Sequence, residues 1–372
     1  MKILIAPDKF KHSLSAQEVC KIIEATLLNK SNDFEIDCLP MADGGEGTSE
    51  ILAFQYKAEP VTAKVHDPLM RIVQANYFIK DKTAFIEMAA ASGLQLLKAD
   101  EQNVLKTTSF GTGELIKDAI KNGCNQVFLC IGGSATSDGG VGMAVALGYQ
   151  FLNEKGEVFL PVAASLSEIK IIKLPEYNLT KDVEISVLTD VDNPLTGKNG
   201  ASYQYAIQKG AEEGDLEFLD KGMLHLRDLI DTDFHFNIDC LPGAGASGGM
   251  GGGSTFFLKA TLQSGIQFIA DKLKLDAKIK NADYVISGEG KLDEQSFQGK
   301  VVSGVLKSCK ENTKPLFVIV GLNTFKDRMP KEIKAVFSLT DLAGKQETAI
   351  KNPKHWLEKA TQELLKQIER SN

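Results

Sequence analysis

QVFLCIGGSATSDGGVGMAVAL, residues 126–147, contains a strand, a glycine-rich turn and a helix in one stretch. The run Gln126–Ile131 is almost wholly apolar, which predicts a buried strand. Gly132–Gly140 then predicts a loop, and Val141–Leu147 predicts a short apolar helix. A strand that leads through glycines into a helix is typical of α/β folds with a mostly parallel sheet.

The same alternation of strand and helix recurs along the chain. Ser15 and Glu18 form a predicted capping box, and apolar residues at helical spacing follow it. Repeated strand–helix units predict an α/β class with mostly parallel sheets. The predicted strands are Lys2–Ala6, Ile36–Leu39, Ala84–Met88, Gln126–Ile131, Val183–Leu188, Tyr284–Ile286, Leu316–Val320 and Ala335–Leu339.

The length of 372 residues predicts two domains. The chain changes character at Tyr56–Val73, where apolar residues alternate within a polar stretch, and again at Lys272–Lys280, which is polar and charged. Insertion of one domain into a surface loop of another is well tolerated. We therefore predict a discontinuous domain of residues 1–60 and 281–372, with residues 61–280 inserted as a second domain.

Composition excludes several classes of protein. A net charge of −7 argues against broad binding to a nucleic-acid backbone. The apolar run Ile3–Pro7 is too short for a signal peptide, and the run Leu316–Leu322 is far shorter than the ~18 residues of a membrane-spanning helix. The six cysteines form no C-x-x-C pair, which favours free thiols. A cytoplasmic protein is expected.

Carboxylates beside Gly, Ser or Thr follow five predicted strands. In α/β sheets, ligands bind beyond the carboxyl ends of the strands. Turn composition alone explains one or two such loops, but five favour a shared binding site. The loops are Ala6–Ser13, Met41–Gly47, Gly132–Gly140, Thr189–Pro194 and Ser287–Asp293.

Two glycine-rich segments, Ser109–Glu114 and Gly132–Gly140, precede predicted helices. Free N–H groups at a helix start bind phosphate, although simple tight helix entry explains either segment alone equally well. Asp190 and Asp192 lie two residues apart after a strand. Phosphoryl transfer needs such carboxylates as Mg²⁺ ligands and as a base, whereas a solvated loop is the plainer interpretation.

Other motifs leave alternatives open. The sequence has no G-x-x-x-x-G-K-[ST] and no zinc signature. Gly243–Gly248 fits G-x-G-x-x-G after a possible strand at Phe236–Leu241, although Pro242 interrupts the junction. An NAD(P)-dependent oxidoreductase is therefore an alternative to a kinase, and a non-catalytic sensor of a phosphorylated acid is a third reading.

The set of motifs, in this order and over nearly the whole chain, resembles the type-1 glycerate kinase family. The resemblance implies a Rossmann-like (flavodoxin-like) domain with a second inserted α/β domain and an active site in the cleft between them. The sequence departs from the family pattern at Lys9, His12 and Met70, where the family usually has Ser, Gly and Gly. The matching segments are Ala6–Ser15, Ala42–Thr48, Ser109–Ile116, Ile131–Gly140, Thr189–Leu195, and Ser287–Asp293 with Gln295, Gly299 and Lys300.

The resemblance also implies an ATP- and Mg²⁺-dependent kinase that converts D-glycerate to 2-phospho-D-glycerate. We further predict a monomer or homodimer that binds neither nucleic acid nor membrane. The candidate catalytic residues are Asp190, as the base, and Lys11. The candidate Mg²⁺ ligands are Asp190, Asp192 and Asp43. Candidates for binding substrate or phosphate are Asp8, Ser13, Asp43, Arg71, Gly111, Thr112, Gly113, Gly132, Gly133, Ser134, Asp138, Glu289 and Lys300.

Overall fold

A computed structural model of the chain describes residues 1–11, 13–30, 33–297, 299–325 and 329–371. His12 therefore lies outside the described residues. The strands of the described part are β1 (Lys2–Ile5), β2 (Glu35–Cys38), β3 (Glu59–His66), β4 (Ile72–Lys80), β5 (Thr83–Glu87), β6 (Gln126–Cys130), β7 (Gln150–Leu152), β8 (Val158–Phe159), β9 (Ile171–Lys173), β10 (Glu184–Thr189), β11 (Thr261–Ser264), β12 (Tyr284–Leu292), β13 (Leu316–Asn323) and β14 (Ile333–Ser338).

Helices connect most of these strands. The α-helices are α1 (Ala16–Leu28), α2 (Thr48–Tyr56), α3 (Ala89–Ser92), α4 (Phe110–Lys121), α5 (Val141–Ala146), α6 (Ala201–Tyr205), α7 (Leu216–Phe234), α8 (Ala246–Phe257), α9 (Gly265–Lys272), α10 (Leu275–Asn281), α11 (Val301–Glu311), α12 (Leu339–Ala343), α13 (Gln346–Lys351) and α14 (Pro353–Ser371). Short 3₁₀ turns lie at Leu94–Leu96, Ala99–Glu101, Ala163–Glu168, Ile207–Lys209, Glu213–Asp215 and Glu294–Phe297. Among the described residues, no helix is both long and apolar enough to span a membrane.

The chain divides into two compact units. The first unit is Met1–Asp43 with Gly265–Asn372, and the second unit is Gly44–Ser264. These bounds differ from the predicted ones, which fall after residue 60 and before residue 281. The difference concerns three helices. Helix α2 packs against β4 and β5 in the second unit, and α9 and α10 pack against α11 in the first.

The first unit contains a five-stranded parallel sheet in the order β14-β13-β12-β1-β2. Numbered within the unit alone this is the order 5-4-3-1-2, which read from the opposite edge is the flavodoxin-like order 2-1-3-4-5. The predicted α/β class and its flavodoxin-like domain are therefore confirmed. Ser15 caps α1 through the predicted capping box with Glu18, and the apolar face of α1 packs with α14 on the sheet.

The second unit contains a six-stranded mixed sheet in the order β11-β10-β6-β5-β4-β3. Within this sheet β5, β6, β10 and β11 pair in parallel, whereas β3 and β4 form an antiparallel edge. A small antiparallel sheet, β8-β7-β9, adds to this unit. Helices α4 and α5 pack together. Because β6 and β10 pair in parallel, the loops that follow them leave the same edge of the sheet.

Two sequence predictions about local structure are wrong. Ser287–Leu292 was expected to be a loop, but these residues continue β12, whose register with β13 runs as far as Leu292 opposite Asn323. Gly288 permits this close pairing, since a Cβ atom there would lie 2.2 Å from the carbonyl oxygen of Ile319. Phe236–Leu241 forms no strand; it is irregular chain between α7 and α8.

Candidate functional site

Three carboxylates cluster at the carboxyl edge of the first unit's sheet. Asp8 follows β1, Asp43 follows β2, and Glu289 lies on β12. The backbone N–H of Asp8 donates to the carbonyl of Gly288 at 2.8 Å, so the loop after β1 runs beside β12. The boundary between β1 and β12 is the topological switch point of this sheet, where ligands of flavodoxin-like folds bind.

These carboxylates destabilise one another's charge. Burial raises the pKa of Asp8 well above its usual range, and the neighbouring charges of Asp43 and Glu289 raise it further. Burial likewise raises the pKa of Glu289 to about 7. Among the described residues, Glu289 Oε1 has no hydrogen-bond partner although it is buried. The cluster therefore has an excess of negative charge that a bound cation would relieve.

Predicted cations lie near this cluster. The ammonium of Lys300, at the N-cap of α11, lowers the pKa of Glu289, although burial outweighs it. The backbone at Lys11 passes close to β12, because a Cβ atom on Gly290 would lie 3.0 Å from the backbone nitrogen of Lys11. Ser13 is exposed and turns the chain back by donating its N–H to the carbonyl of Phe10 at 2.9 Å. The structure thus places the backbone of Lys11 beside Gly290 and the charge of Lys300 within reach of Glu289.

In the second unit, two glycine-rich loops are in contact. A Cβ atom on Gly132 would lie 2.6 Å from the Cα of Gly45, so only glycine permits this approach. Gly133 has φ +74°, a left-handed conformation that favours glycine, and it exposes the backbone beside Ser134. Glu87 fixes the Gly45 loop, because its Oε1 accepts hydrogen bonds from the N–H groups of Gly47 and Ser49 at 2.8 and 3.0 Å.

Asp138 is an internal anchor of the second unit. Its carboxylate is buried and accepts hydrogen bonds from the N–H and hydroxyl of Ser109, both at 2.8 Å, and from the N–H groups of Gly140 and Gly142. Burial raises its pKa, and these four hydrogen bonds oppose that effect. The carboxylate joins the starts of α4 and α5, and its oxygens are engaged by the chain's own donors.

The predicted loop Ser109–Glu114 is also different in the structure. From Phe110 onwards these residues are already helical, and Gly111, Thr112 and Gly113 are buried in α4. A Cβ atom on Gly111 would lie 1.9 Å from the carbonyl oxygen of His66, and one on Gly113 would lie 2.4 Å from that of Met143. Their conformation is explained by close helix packing, which is the plainer of the two alternatives weighed from the sequence.

Asp190 and Asp192 follow β10 and face a common neighbour. Burial and, to a smaller extent, the charges of both aspartates raise the pKa of Tyr205 to about 12. The Tyr205 hydroxyl donates to Oδ1 of Asn193, whose amide donates to the carbonyl of Asn199 at 2.9 Å. The loop that carries both aspartates is thereby fixed, and its carboxylates lie close enough to act on one phenol.

Arg71 lies in the turn between β3 and β4 and is held by two carboxylates. Its Nε donates to the buried Asp67 at 2.6 Å, and its Nη1 donates to Glu101 at 2.7 Å. The Arg71 side chain is 46% exposed, and its Nη2 donates to the carbonyl of Leu96 at 3.3 Å. Met70, just before it, has φ +62°, a conformation suited to the glycine of the family pattern.

Comparison with known proteins gives a consistent result. The profile of the glycerate kinase family matches residues 3–369. Glycerate 2-kinase of Escherichia coli (strain K12) is 41% identical over 356 residues, which cover 94% of this chain and 93% of that protein. The chain belongs to the glycerate kinase family. A glycerate kinase of Bacillus cereus (strain ATCC 10987 / NRS 248) is also 41% identical, over the same shares of the two chains.

A solved structure supports the same assignment at the level of the fold. The crystal structure of a putative glycerate kinase 2 from Salmonella typhimurium LT2 superposes with a TM-score of 0.84 and 38% identity, covering 100% of this chain and 99% of that one. The predicted family, the mixed α/β fold and the assignment as a kinase are therefore confirmed.

The oxidoreductase alternative is not supported. The segment Gly243–Gly248 does not follow a strand, and α8 is broken at its start, with Ser247, Gly248 and Gly249 all at positive φ. A dinucleotide fingerprint needs a strand that leads directly into a regular helix. Gly248 instead packs against the glycine-rich loop, since a Cβ atom there would lie 2.1 Å from the carbonyl oxygen of Thr136.

Metal coordination by side chains alone is not evident. Within the part of the chain that the structure describes, no three His, Cys, Asp or Glu side chains form a group that could hold a metal ion. Mg²⁺ is usually held by one or two carboxylates together with substrate phosphates and water. The pair Asp190 and Asp192, and the negatively charged cluster around Asp43, fit that weaker requirement.

Sequence reasoning missed three residues of these sites. Lys209 donates from Nζ to Ser134 Oγ and to the carbonyl of Thr136, both at 2.7 Å. Tyr205 contacts the aspartate loop, and Glu87 supports the Gly45 loop. None lies in a recognisable motif. Only the charge of Glu87 at the end of a predicted buried strand was an available signal.

Proposed function

We propose that this protein transfers the γ-phosphoryl group of ATP to D-glycerate, with Mg²⁺, and forms 2-phospho-D-glycerate. The match to the glycerate kinase family over residues 3–369 carries this proposal. The name of the E. coli relative, glycerate 2-kinase, supports the 2-phosphate as product. A cytoplasmic location and the binding of small molecules only are part of the same proposal.

Asp190 is proposed as the base that takes the proton of the glycerate hydroxyl. Hydrogen bonds of Asn193 to Tyr205 and to Asn199 hold the loop that carries it. A base positioned in this way contributes about 10²–10⁴-fold to a rate. Lys11 is proposed to act with it, by stabilising negative charge on the transferring phosphoryl group.

Asp190, Asp192 and Asp43 are the proposed Mg²⁺ ligands. The bound ion would neutralise charge on the phosphate oxygens, which is the main electrostatic contribution in phosphoryl transfer. The carboxylates of this chain would hold the ion through one or two oxygens, with phosphate and water completing its shell. The mutual repulsion among Asp8, Asp43 and Glu289 supports cation binding in the first unit.

Anions are proposed to bind to cationic side chains and to backbone N–H groups. Lys300 and Arg71 are proposed for the carboxylate and phosphate oxygens, with Ser13 as a further donor. Gly132, Gly133 and Ser134 are proposed to offer backbone N–H groups to phosphate, since the two glycines have no side chain to prevent close approach. Gly111, Thr112, Gly113 and Asp138 have packing roles in the structure, and we propose no ligand for them.

Phosphorus NMR of one reaction tests the proposal. Purified protein with ATP, Mg²⁺ and D-glycerate should give a new phosphomonoester signal, and omission of glycerate or Mg²⁺ should abolish it. Coupling to enolase without mutase should give a signal, because enolase accepts only the 2-phosphate. A signal that needs added mutase would instead indicate the 3-phosphate, and ATP use independent of glycerate would contradict the proposed substrate.

A further inference from the structure

Lys209 is a buried cation beside the glycine-rich loop and has no role in the function proposed above. It ends the 3₁₀ turn Ile207–Lys209 and is 4% exposed. Its Nζ donates to Ser134 Oγ and to the carbonyl of Thr136, both at 2.7 Å. A buried ammonium is costly unless it is hydrogen-bonded, so its place against this loop needs an explanation.

The contact with Lys209 determines what the Ser134 hydroxyl can do. An ammonium group has three donors and no acceptor, so Ser134 Oγ must accept the hydrogen bond. The hydroxyl proton of Ser134 is then left as a donor. Among the described residues, this hydroxyl donates no hydrogen bond to another group of the chain. A serine held in this way offers an O–H group to an acceptor outside the chain.

The backbone around Ser134 is fixed independently of Lys209. Leu94 donates its N–H to the carbonyl of Gly133 at 3.0 Å, and Ala135 donates to that of Ser92 at 2.9 Å. The hydroxyl of Thr107 donates to the carbonyl of Ala135 at 2.8 Å. Because the backbone has its own supports, loss of Lys209 should alter the direction of the Ser134 hydroxyl more than the course of the loop.

We propose that Lys209 is a positioning residue, which directs the Ser134 hydroxyl to donate to an anionic oxygen of a ligand bound at the loop Gly132–Ser134. The ligand chemistry is an oxyanion, either a phosphate of the nucleotide or the carboxylate of the hydroxy acid. This inference rests on the proposed kinase function for the identity of the two ligands. The contact between Lys209 and Ser134 is the observation that carries it.

The proposal predicts a particular dependence on pH. Burial lowers the pKa of Lys209 to about 7, and the carboxylate of Asp138, the charged group whose field acts on it, opposes this effect. The neutral amine formed at higher pH can accept a hydrogen bond from Ser134, which would withdraw the hydroxyl proton from the ligand. Binding of the oxyanion should therefore weaken as pH rises through about 7.

Steady-state kinetics on four variants test the proposal: Lys209→Met, Lys209→Arg, Ser134→Ala, and the double variant with Met and Ala. Lys209→Met and Ser134→Ala should each raise the KM of one substrate about tenfold, with kcat changed less than about threefold, as expected for one lost hydrogen bond to a charged group. The double variant should have a KM no higher than that of the more strongly affected single variant. An affected KM for ATP identifies a phosphate oxygen, and one for glycerate identifies the carboxylate.

The pH profile separates this role from a merely structural one. The affected KM should rise between pH 6 and 8.5 in the wild type. It should stay constant in Lys209→Arg, because arginine keeps its charge, and be high at all pH values in Lys209→Met. Lys221→Met, an exposed lysine paired with Glu217 at 2.7 Å, is the matched control and should behave as wild type. Equal, pH-independent rises in both KM values, additive effects in the double variant, or a normal Lys209→Met would overturn the proposal.

Binding measurements keep this inference separate from the kinase proposal. If the wild type makes no phosphoglycerate, the kinase proposal fails, and calorimetry with ATP, inorganic pyrophosphate and D-glycerate still compares the same variants. Binding of an oxyanion that weakens about tenfold in both Lys209→Met and Ser134→Ala supports the role of Lys209. Unchanged binding overturns it. If Lys209→Met does not fold, Ser134→Ala and the wild-type pH profile decide the question.

Discussion

Replacing Glu289 with glutamine should stabilise the first unit at alkaline pH while reducing activity. Glu289 is buried on β12, and its Oε1 lacks a hydrogen-bond partner among the described residues. Burial and the charges of Asp293 and Asp43 raise its pKa to about 7. Glutamine has the shape of the protonated acid, so it removes the ionisation without changing the packing.

The size of the effect follows from the difference in pKa between the folded and unfolded chain. An increase from 4.5 to about 7 corresponds to about 3 kcal/mol, because one pKa unit is worth about 1.4 kcal/mol. Below pH 4.5 both states hold the proton, and Glu289 has no effect on stability. Between pH 4.5 and 7 the unfolded chain loses its proton first, so the wild type loses stability as pH rises. Above pH 7 the loss is complete.

Urea denaturation followed by the fluorescence of Trp356 measures this effect. Trp356 is the single tryptophan of the chain and lies on α14 in the first unit, so it reports that unit. In EDTA, Glu289→Gln should match the wild type near pH 4.5 and exceed it by about 3 kcal/mol at pH 8. Glu369→Gln, at an exposed position on the same helix as Trp356, is the control. Parallel pH profiles for Glu289→Gln and the wild type would refute the reasoning.

Three further changes have distinct expected outcomes. Gly111→Ala should destabilise the second unit by about 3 kcal/mol or more, because its Cβ would lie 1.9 Å from the carbonyl oxygen of His66. Gly123→Ala meets no atom within 4 Å and should cost about 1 kcal/mol for its φ of +87°. Thermal melting compares the two variants. Glu87→Ala should lower stability by about 2–3 kcal/mol, since it leaves the donors at the start of α2 unpaired, and Glu87→Gln by less, which calorimetry would show. Asp190→Asn should lower kcat about 10²–10⁴-fold with little change in either KM; recovery at high Mg²⁺ would assign it to the metal instead, and a near-normal kcat would remove it from the mechanism.

Most of the parallel strands were predictable because their apolar residues form nearly continuous runs, although β11, which pairs in parallel with β10, was not predicted. Strands such as β1, β6 and β13 are covered on both faces, so they are apolar throughout and their ends were predicted within a few residues. The antiparallel strands β3 and β4 have one exposed face and alternate polar with apolar residues. That alternation was interpreted as a domain boundary, although it is itself the signature of a half-buried strand.

Glycine-rich segments were the main source of error. Turn composition predicted a loop at Ser287–Asp293, yet Gly288 and Gly290 serve close strand packing, and a Cβ atom on Gly288 would meet β13. Gly111 and Gly113 likewise serve helix packing and not an open anion loop. Gly133 alone among these has both a positive φ and a nearly open Cβ position. Glycine thus serves close strand packing, close helix packing or a turn with positive φ, and only the neighbouring atoms distinguish the three.

Lys209 illustrates what no local pattern predicts. It is separated from Ser134 by 75 residues, and its sequence context, Ala206–Ala211, has no motif. Lys209 is a candidate for a role in ligand binding because it is a charged group at a buried position, where charge is energetically costly. A buried charge is costly, and its replacement by an apolar side chain of similar size is often neutral or stabilising. Glu289 presents the same conflict with the opposite charge. If both groups are kept for ligand binding, each neutral replacement should leave the fold as stable or more stable and reduce ligand binding or activity, and variants that lose both together would point to structural roles.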